Sequence, residues 1–284
     1  LSLKIRNTRE FIVPETFRMN VLLYSLPGSG KTTWIGTCPP EETGVAACET
    51  GTGKGLLSIA DKGFDCVEPS DINELEKFCR GEIFKDKKIL VLDSLSAMYK
   101  TFIKDAALKM PRQMGETDKR KAGIPELVDF GVMAELTRRL LNILMNSNPD
   151  KHIIVTATEK YDRPNENDAP GTESLIGPDL AGQMFLGSAA MFDFVFRLRT
   201  RPKLRDPKDP KSRYGERYFI TQQESGTIAK CRSNSRGIPL LEREEIFDQQ
   251  TGQGGFLDLL SKILRGYARA TEQGAKPAVE LTSA

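Results

Sequence analysis

The stretch Ser25-Leu26-Pro27-Gly28-Ser29-Gly30-Lys31-Thr32-Thr33 carries the clearest chemistry in the chain. It matches the end of the pattern G-x-x-x-x-G-K-[ST], in which a glycine-rich turn lets backbone N–H groups approach a phosphate closely. Gly30, Lys31 and Thr32 fill the last places, and Ser25 stands where the first glycine belongs. The N–H groups from Gly28 to Thr32 are expected to converge on a β-phosphate, with Lys31 reaching the β- and γ-phosphates. The Thr32 hydroxyl is the expected Mg²⁺ ligand, and Leu26, Pro27, Ser29 and Thr33 complete the cradle. The ligand so predicted is a nucleoside triphosphate with Mg²⁺, and ATP is the expected one.

Acids and hydroxyls recur at the ends of apolar runs. Asp93 closes the run 87–92, where a strand-end aspartate can hold the metal through water. Glu49 follows the run 44–48 and is a candidate for polarising an attacking water. Thr156 and Thr158 end the run 152–158 and are candidate sensors of the γ-phosphate, with Glu159 beside them. His152, the single histidine, has no partner pattern and reads as structural, and Trp34 reads as core.

These groups need a strand–loop–helix frame. The apolar run 19–24 predicts the strand before the loop, and a helix is expected to open at Lys31. Further strands are read over 44–48, 63–68, 87–93 and 152–158. A capped helix is expected over 71–80, with Asp71 as N-cap and Glu74 three positions on. Helices are also expected over 95–108, 126–146 and 255–268. Residues 109–125 and 160–182 read as long loops, and 203–213 as a charged turn. The alternation over 190–200 suggests an antiparallel or edge strand, and 216–222 with 226–232 suggest a hairpin around Ser225 and Gly226. Strand–helix alternation followed by antiparallel strands predicts an α/β fold: a mostly parallel sheet flanked by helices and extended at one edge. The expected organisation is an N-terminal extension over 1–18, one ATPase domain over 19–268 and a disordered tail over 269–284.

Composition narrows the function classes. Apolar residues make up 39% and charged residues 28%, with a net charge of +2, so any polyanion site must come from local clustering. Five scattered cysteines and one histidine argue against a zinc site or a disulfide framework, and for a reducing cytoplasm. With no apolar run of membrane-spanning length, no membrane association is expected.

The order of these motifs resembles the RecA family of recombination ATPases: phosphate loop, strand ending at Glu49, then Leu90-Val91-Leu92-Asp93-Ser94, a charged loop, a long helix and the strand 152–158. The similarity covers about residues 19–235 and is closest to the compact single-strand annealing ATPases of bacteriophages, the Sak group. It implies a RecA-like core, DNA-stimulated ATP hydrolysis, and assembly on single-stranded DNA to promote annealing or strand exchange. It places the loops 104–125 and 160–182 against DNA, which makes Lys104, Lys109, Arg112, Lys119, Arg120, Lys121, Lys160 and Arg163 candidate phosphate contacts. It also makes Lys230 and Arg232 candidates for a finger inserted into a neighbouring subunit's ATP site, with Arg236 as a nearby substitute. That arrangement implies a homo-oligomeric ring or filament, and it extends to a single-strand binding protein as partner and a bacterial or phage-encoded setting. Two other readings stay open: a hexameric helicase or loader-type motor, and a nucleotide-switched assembly protein with little catalysis.

Overall fold

The computed structural model describes residues 16–49, 54–111, 123–162, 174–206, 208–209 and 211–272. Among them the strands are β1 (Asn20–Ser25), β2 (Thr43–Ala47), β3 (Asp65–Val67), β4 (Ile89–Asp93), β5 (His152–Asp162), β6 (Leu175–Pro178), β7 (Phe194–Leu204), β8 (Arg213–Ile220) and β9 (Glu244–Phe247). The helices are α1 (Lys31–Ile35), α2 (Ile72–Cys79), α3 (Leu95–Met98), α4 (Lys104–Lys109), α5 (Leu127–Asn146), α6 (Met184–Ala190) and α7 (Phe256–Glu272). A π-helical turn over Tyr99–Ile103 joins α3 to α4.

The strands lie in the order β3-β2-β4-β5-β1-β7-β8-β9, with β6 paired to β5. From β3 to β7 every pairing is parallel, while β7–β8, β8–β9 and β5–β6 are antiparallel. This is the expected architecture. The central strands are apolar without a break because both faces of the sheet are covered. Leu22 and Tyr24 of β1 point into a core shared with α2 to α6, whereas Val21 and Leu23 point into a second core with α1 and α7. Asp71 caps α2 as expected, accepting from Asn73 N at 2.8 Å and Glu74 N at 2.9 Å. Glu74 reaches back one residue further, to Ser70 N at 2.8 Å.

Several boundaries differ from the sequence reading. The hairpin expected around Ser225 and Gly226 is not formed between 216–222 and 226–232. Gly226 does make a tight turn at φ 70°, but the chain after it bridges to Ile176 and Val195 instead. β8 pairs with β7, and the charged turn joins them. Asp206 accepts from Lys208 N and Asp209 from Lys211 N, which bends the chain locally. The loop expected over 160–182 is partly sheet, since β5 continues to Asp162 and β6 folds back onto it. Helix α7 runs to Glu272, past the expected start of the tail at 269, because its apolar stripe docks on the second core.

Candidate nucleotide site

The parallel register gathers the sequence-derived residues at one end of the sheet. Ser25, the last residue of β1, lies beside Thr158 of β5, and Asp93, the last of β4, lies beside Ala47 of β2. In open α/β sheets ligands bind at this carboxyl end. The loop 26–30 leaves β1 there, largely exposed, and is closed by Ser29 N donating to Leu26 O at 3.3 Å. Gly28 and Gly30 sit at φ 74° and 103°, a backbone region that side-chain-bearing residues rarely adopt, so these two glycines are required by the turn. Leu26 and Pro27 are exposed on the loop, and Lys31, Thr32 and Thr33 open α1 behind it.

Lys31 Nζ is held within the loop by Ser25 Oγ at 3.3 Å, Ser25 O at 3.4 Å and Leu26 O at 3.5 Å, all at the long limit of hydrogen bonding. Burial lowers the affinity of this ammonium for its proton, and the charges of Asp93, Glu49 and Glu159 partly restore it. Ser25 is buried, and its hydroxyl donates to Leu26 O at 3.0 Å.

Asp93 is the focus of a hydroxyl cluster. Thr32 Oγ1 donates to one carboxylate oxygen at 3.5 Å, and Thr156 Oγ1 donates to the other. Burial pushes the Asp93 carboxyl up from its ordinary range, and the like charge of Glu49 adds to this, against the hydrogen bonds from Thr156 and Thr32 and the charge of Lys31. A divalent cation here would relieve that burden. A single carboxylate and a threonine hydroxyl suit Mg²⁺, which takes few protein ligands and fills its octahedron with phosphate oxygens and water. Among the described residues no group of three His, Cys, Asp or Glu side chains could hold a metal. The Asp93–Ser94 peptide is cis, and Ser94 caps α3 through Ala97 N at 3.3 Å.

The other candidates divide. Glu49 is exposed just beyond β2, with its carboxylate laid against Gly55, where a β-carbon would come within 2.9 Å of it. Thr158 is bonded elsewhere than Asp93. Its N–H donates to Ser96 Oγ at 3.1 Å, and its hydroxyl donates at 3.4 Å to Asp179, which is ion-paired with Lys100. Glu159 is committed to Arg197 of β7 through two hydrogen bonds of 2.9 Å, both side chains being buried. Strand-end position made Glu159 visible in the sequence, whereas Arg197 gave no sign among the arginines of its strand.

Lys230 and Arg232 lie toward the opposite end of the sheet from the phosphate loop in the same subunit. Lys230 pairs with Val195, and its Nζ donates to Phe192 O at 2.6 Å and Ala190 O at 3.3 Å. Arg232 is ion-paired with Asp193 at 2.6 Å. Lys109 ends α4 and is exposed. Lys104 and Lys160, from the two expected DNA loops, border one groove of about 310 Å³ together with Tyr99, Lys100, Phe130 and Asp179. Arg112, Lys119, Arg120, Lys121 and Arg163 lie outside the described residues. No helix among the described residues is long and apolar enough to cross a membrane.

His152 and Trp34 are structural, as expected. His152 Nδ1 accepts from Met19 N at 3.1 Å, and Trp34 is fully buried, with its indole N–H donating to Gly254 O at 2.9 Å.

No curated protein matches the chain. Among solved structures, a KaiC-like protein from the hyperthermophilic archaeon Pyrococcus horikoshii is similar at 18% identity with a TM-score of 0.39, over 81% of this chain and 85% of that one. A family profile described as an AAA domain, AAA_24, matches residues 18–233. That span takes in β1, the phosphate loop, Asp93 and Thr156, and the protein therefore belongs to this family of P-loop ATPase domains.

Proposed function

We propose that the protein binds and hydrolyses Mg²⁺·ATP and uses the cycle to act on single-stranded DNA as a homo-oligomer, promoting annealing or strand exchange. The bound nucleotide supplies the phosphoanhydride and, with its metal, the charge on which the residues act. Lys31 and the loop N–H groups hold the phosphates. Thr32 and Asp93 face the metal position, and Thr156 fixes the orientation of the Asp93 carboxylate. Glu49, just beyond β2 at the same end of the sheet, is the carboxylate that would polarise the attacking water. Preorganised positive groups of this kind supply most of the catalysis in phosphoryl transfer.

The observation that supports DNA as the effector is the course of β5. Thr156 bonds the Asp93 carboxylate, Thr158 bonds Asp179 with Lys100, and Lys160 borders the groove that also receives Lys104. One rigid strand thus runs from the metal-side carboxylate to a cationic groove. Cations lining a groove favour a polyanion without reading its sequence. Lys230 and Arg232 face away from their own phosphate loop, which suits action on a neighbour's site. Arg232 would have to leave Asp193 to do so.

The test is steady-state ATP hydrolysis with and without single-stranded DNA, for the wild type and for Lys104→Glu/Lys160→Glu. DNA should stimulate the wild type, and more steeply as protein concentration rises. The double variant should keep its basal rate and lose the stimulation. Hydrolysis indifferent to DNA would remove DNA as the effector while leaving the ATPase.

A further inference from the structure

Strand β8 alternates in function as well as in direction. Glu216 and Tyr218 face one side, where Arg201 and Lys203 pair with Glu216 and the Arg201 guanidinium lies 4.5 Å from the Tyr218 ring. Arg217 and Phe219 face the other side. Phe219 is buried against Trp34 of α1, with ring centroids 6.0 Å apart. Two residues back along the strand, roughly 7 Å nearer the carboxyl end of the sheet, Arg217 reaches the phosphate loop. A β-carbon built on Gly30 would lie 2.9 Å from Arg217 Nε and 3.0 Å from Cζ. The glycine that the turn requires for its backbone also makes room for this guanidinium.

Among the described residues no carboxylate is bonded to Arg217. Its neighbour Glu216 is taken by Arg201 and Lys203, and Asp248, across the same opening, accepts from Gln250 N at 2.9 Å. The guanidinium also borders an open groove of about 670 Å³ that it shares with Arg205, Tyr214, Glu216, Asp248 and Gln253. A half-buried guanidinium against the phosphate-loop glycine, with no carboxylate bonded to it among the described residues, suits an anion that is brought in. Guanidinium groups bind phosphate oxygens through paired N–H donors in a fixed plane.

Resting on the nucleotide reading above, we propose that Arg217 binds the phosphate chain of the nucleotide from within the same subunit, from its place against Gly30. It is a cis contact, independent of any finger supplied by a neighbour. It should therefore operate in an isolated subunit.

The experiment is calorimetric titration of the full chain with ATP and, separately, with inorganic tripolyphosphate. The proteins compared are wild type, Arg217→Ala, Arg217→Lys and Lys31→Ala, each checked by circular dichroism and thermal melting. Arg217→Ala should weaken both ligands about 10- to 100-fold. Arg217→Lys, which keeps the charge and the aliphatic stem but loses the planar fork, should fall between and guards against a folding defect in the alanine variant. ATP affinity within twofold of wild type in Arg217→Ala, with Lys31→Ala losing it, overturns the role of Arg217 alone. Weaker ATP with unchanged tripolyphosphate also overturns it, because the contact would then be to the nucleoside. Full affinity in Lys31→Ala overturns the nucleotide site itself.

Discussion

Two lysines at opposite ends of the sheet show how the same side chain is used in two ways. Lys151, just before β5, is buried, and its ammonium donates to Phe84 O at 2.8 Å, Lys85 O at 2.9 Å and Lys87 O at 2.6 Å. Three donors meet three acceptors at good distances, so the group is saturated and pins the 84–87 turn to the sheet. Lys31, beyond the other end of β1, makes three hydrogen bonds, all at the long limit of 3.3 to 3.5 Å. Its surroundings hold it in position through weak bonds that a phosphate can displace. A structural cation is closed by the fold, whereas a binding cation is left open for an incoming partner.

The contrast can be broken most sharply by removing each lysine. Lys31→Ala should lose ATP affinity by on the order of 10²- to 10³-fold with little change in melting temperature. Lys151→Met should lose about 3 kcal/mol of stability by orphaning buried carbonyls, while its folded fraction binds ATP normally. Chemical denaturation and nucleotide titration of both variants decide the matter. Equal destabilisation by the two would abolish the distinction.

A smaller effect is expected at the same end as Lys151. Burial, helped by the charge of Arg18, lowers His152 to about 4 from its ordinary value, and its unprotonated Nδ1 accepts from Met19 N. The unfolded chain therefore binds the extra proton first as pH falls. The stabilisation is complete above about pH 6.5 and is lost progressively down to about pH 4, by roughly 2–3 kcal/mol. Denaturation midpoints measured between pH 7 and 4.5 should fall less steeply in His152→Gln than in the wild type. Identical slopes would exclude the histidine.

The smallest expected effect sharpens the comparison at Lys31 itself. Ser25 Oγ competes for the ammonium at 3.3 Å. Ser25→Ala should therefore tighten ATP binding by roughly 2- to 5-fold. A loss of affinity would mean that the serine positions Lys31 and does not compete with the phosphate.

What could be read from the sequence was whatever lies along one strand and the turn that follows it. β1, the phosphate loop, Asp93 at the end of β4 and Thr156 within β5 are local patterns, and a parallel sheet brings strand ends together without further instruction. Contacts between distant strands left no such mark. Arg217 meets Gly30 only because β8 folds back beside β7, and that pairing was itself misread, since Ser225 and Gly226 carry a stronger turn signal than the charged segment before β8. The short β9, Glu244–Phe247, has too few residues for alternation to show. Thr158 illustrates the opposite failing. Its place two residues after Thr156 is correct, but the partner that claims its hydroxyl, Asp179, arrives from a segment read as loop.

The attachment of α7 has a practical corollary. The family match stops at residue 233, yet Gly254 receives the indole N–H of Trp34, Phe256 N donates to Thr37 at the end of α1, and the Phe256 ring packs on Trp34. A chain cut where the similarity ends would keep every recognisable motif and lose the wall against which the phosphate-loop helix rests. The recognisable unit therefore ends short of the contacts that hold the phosphate-loop helix in place.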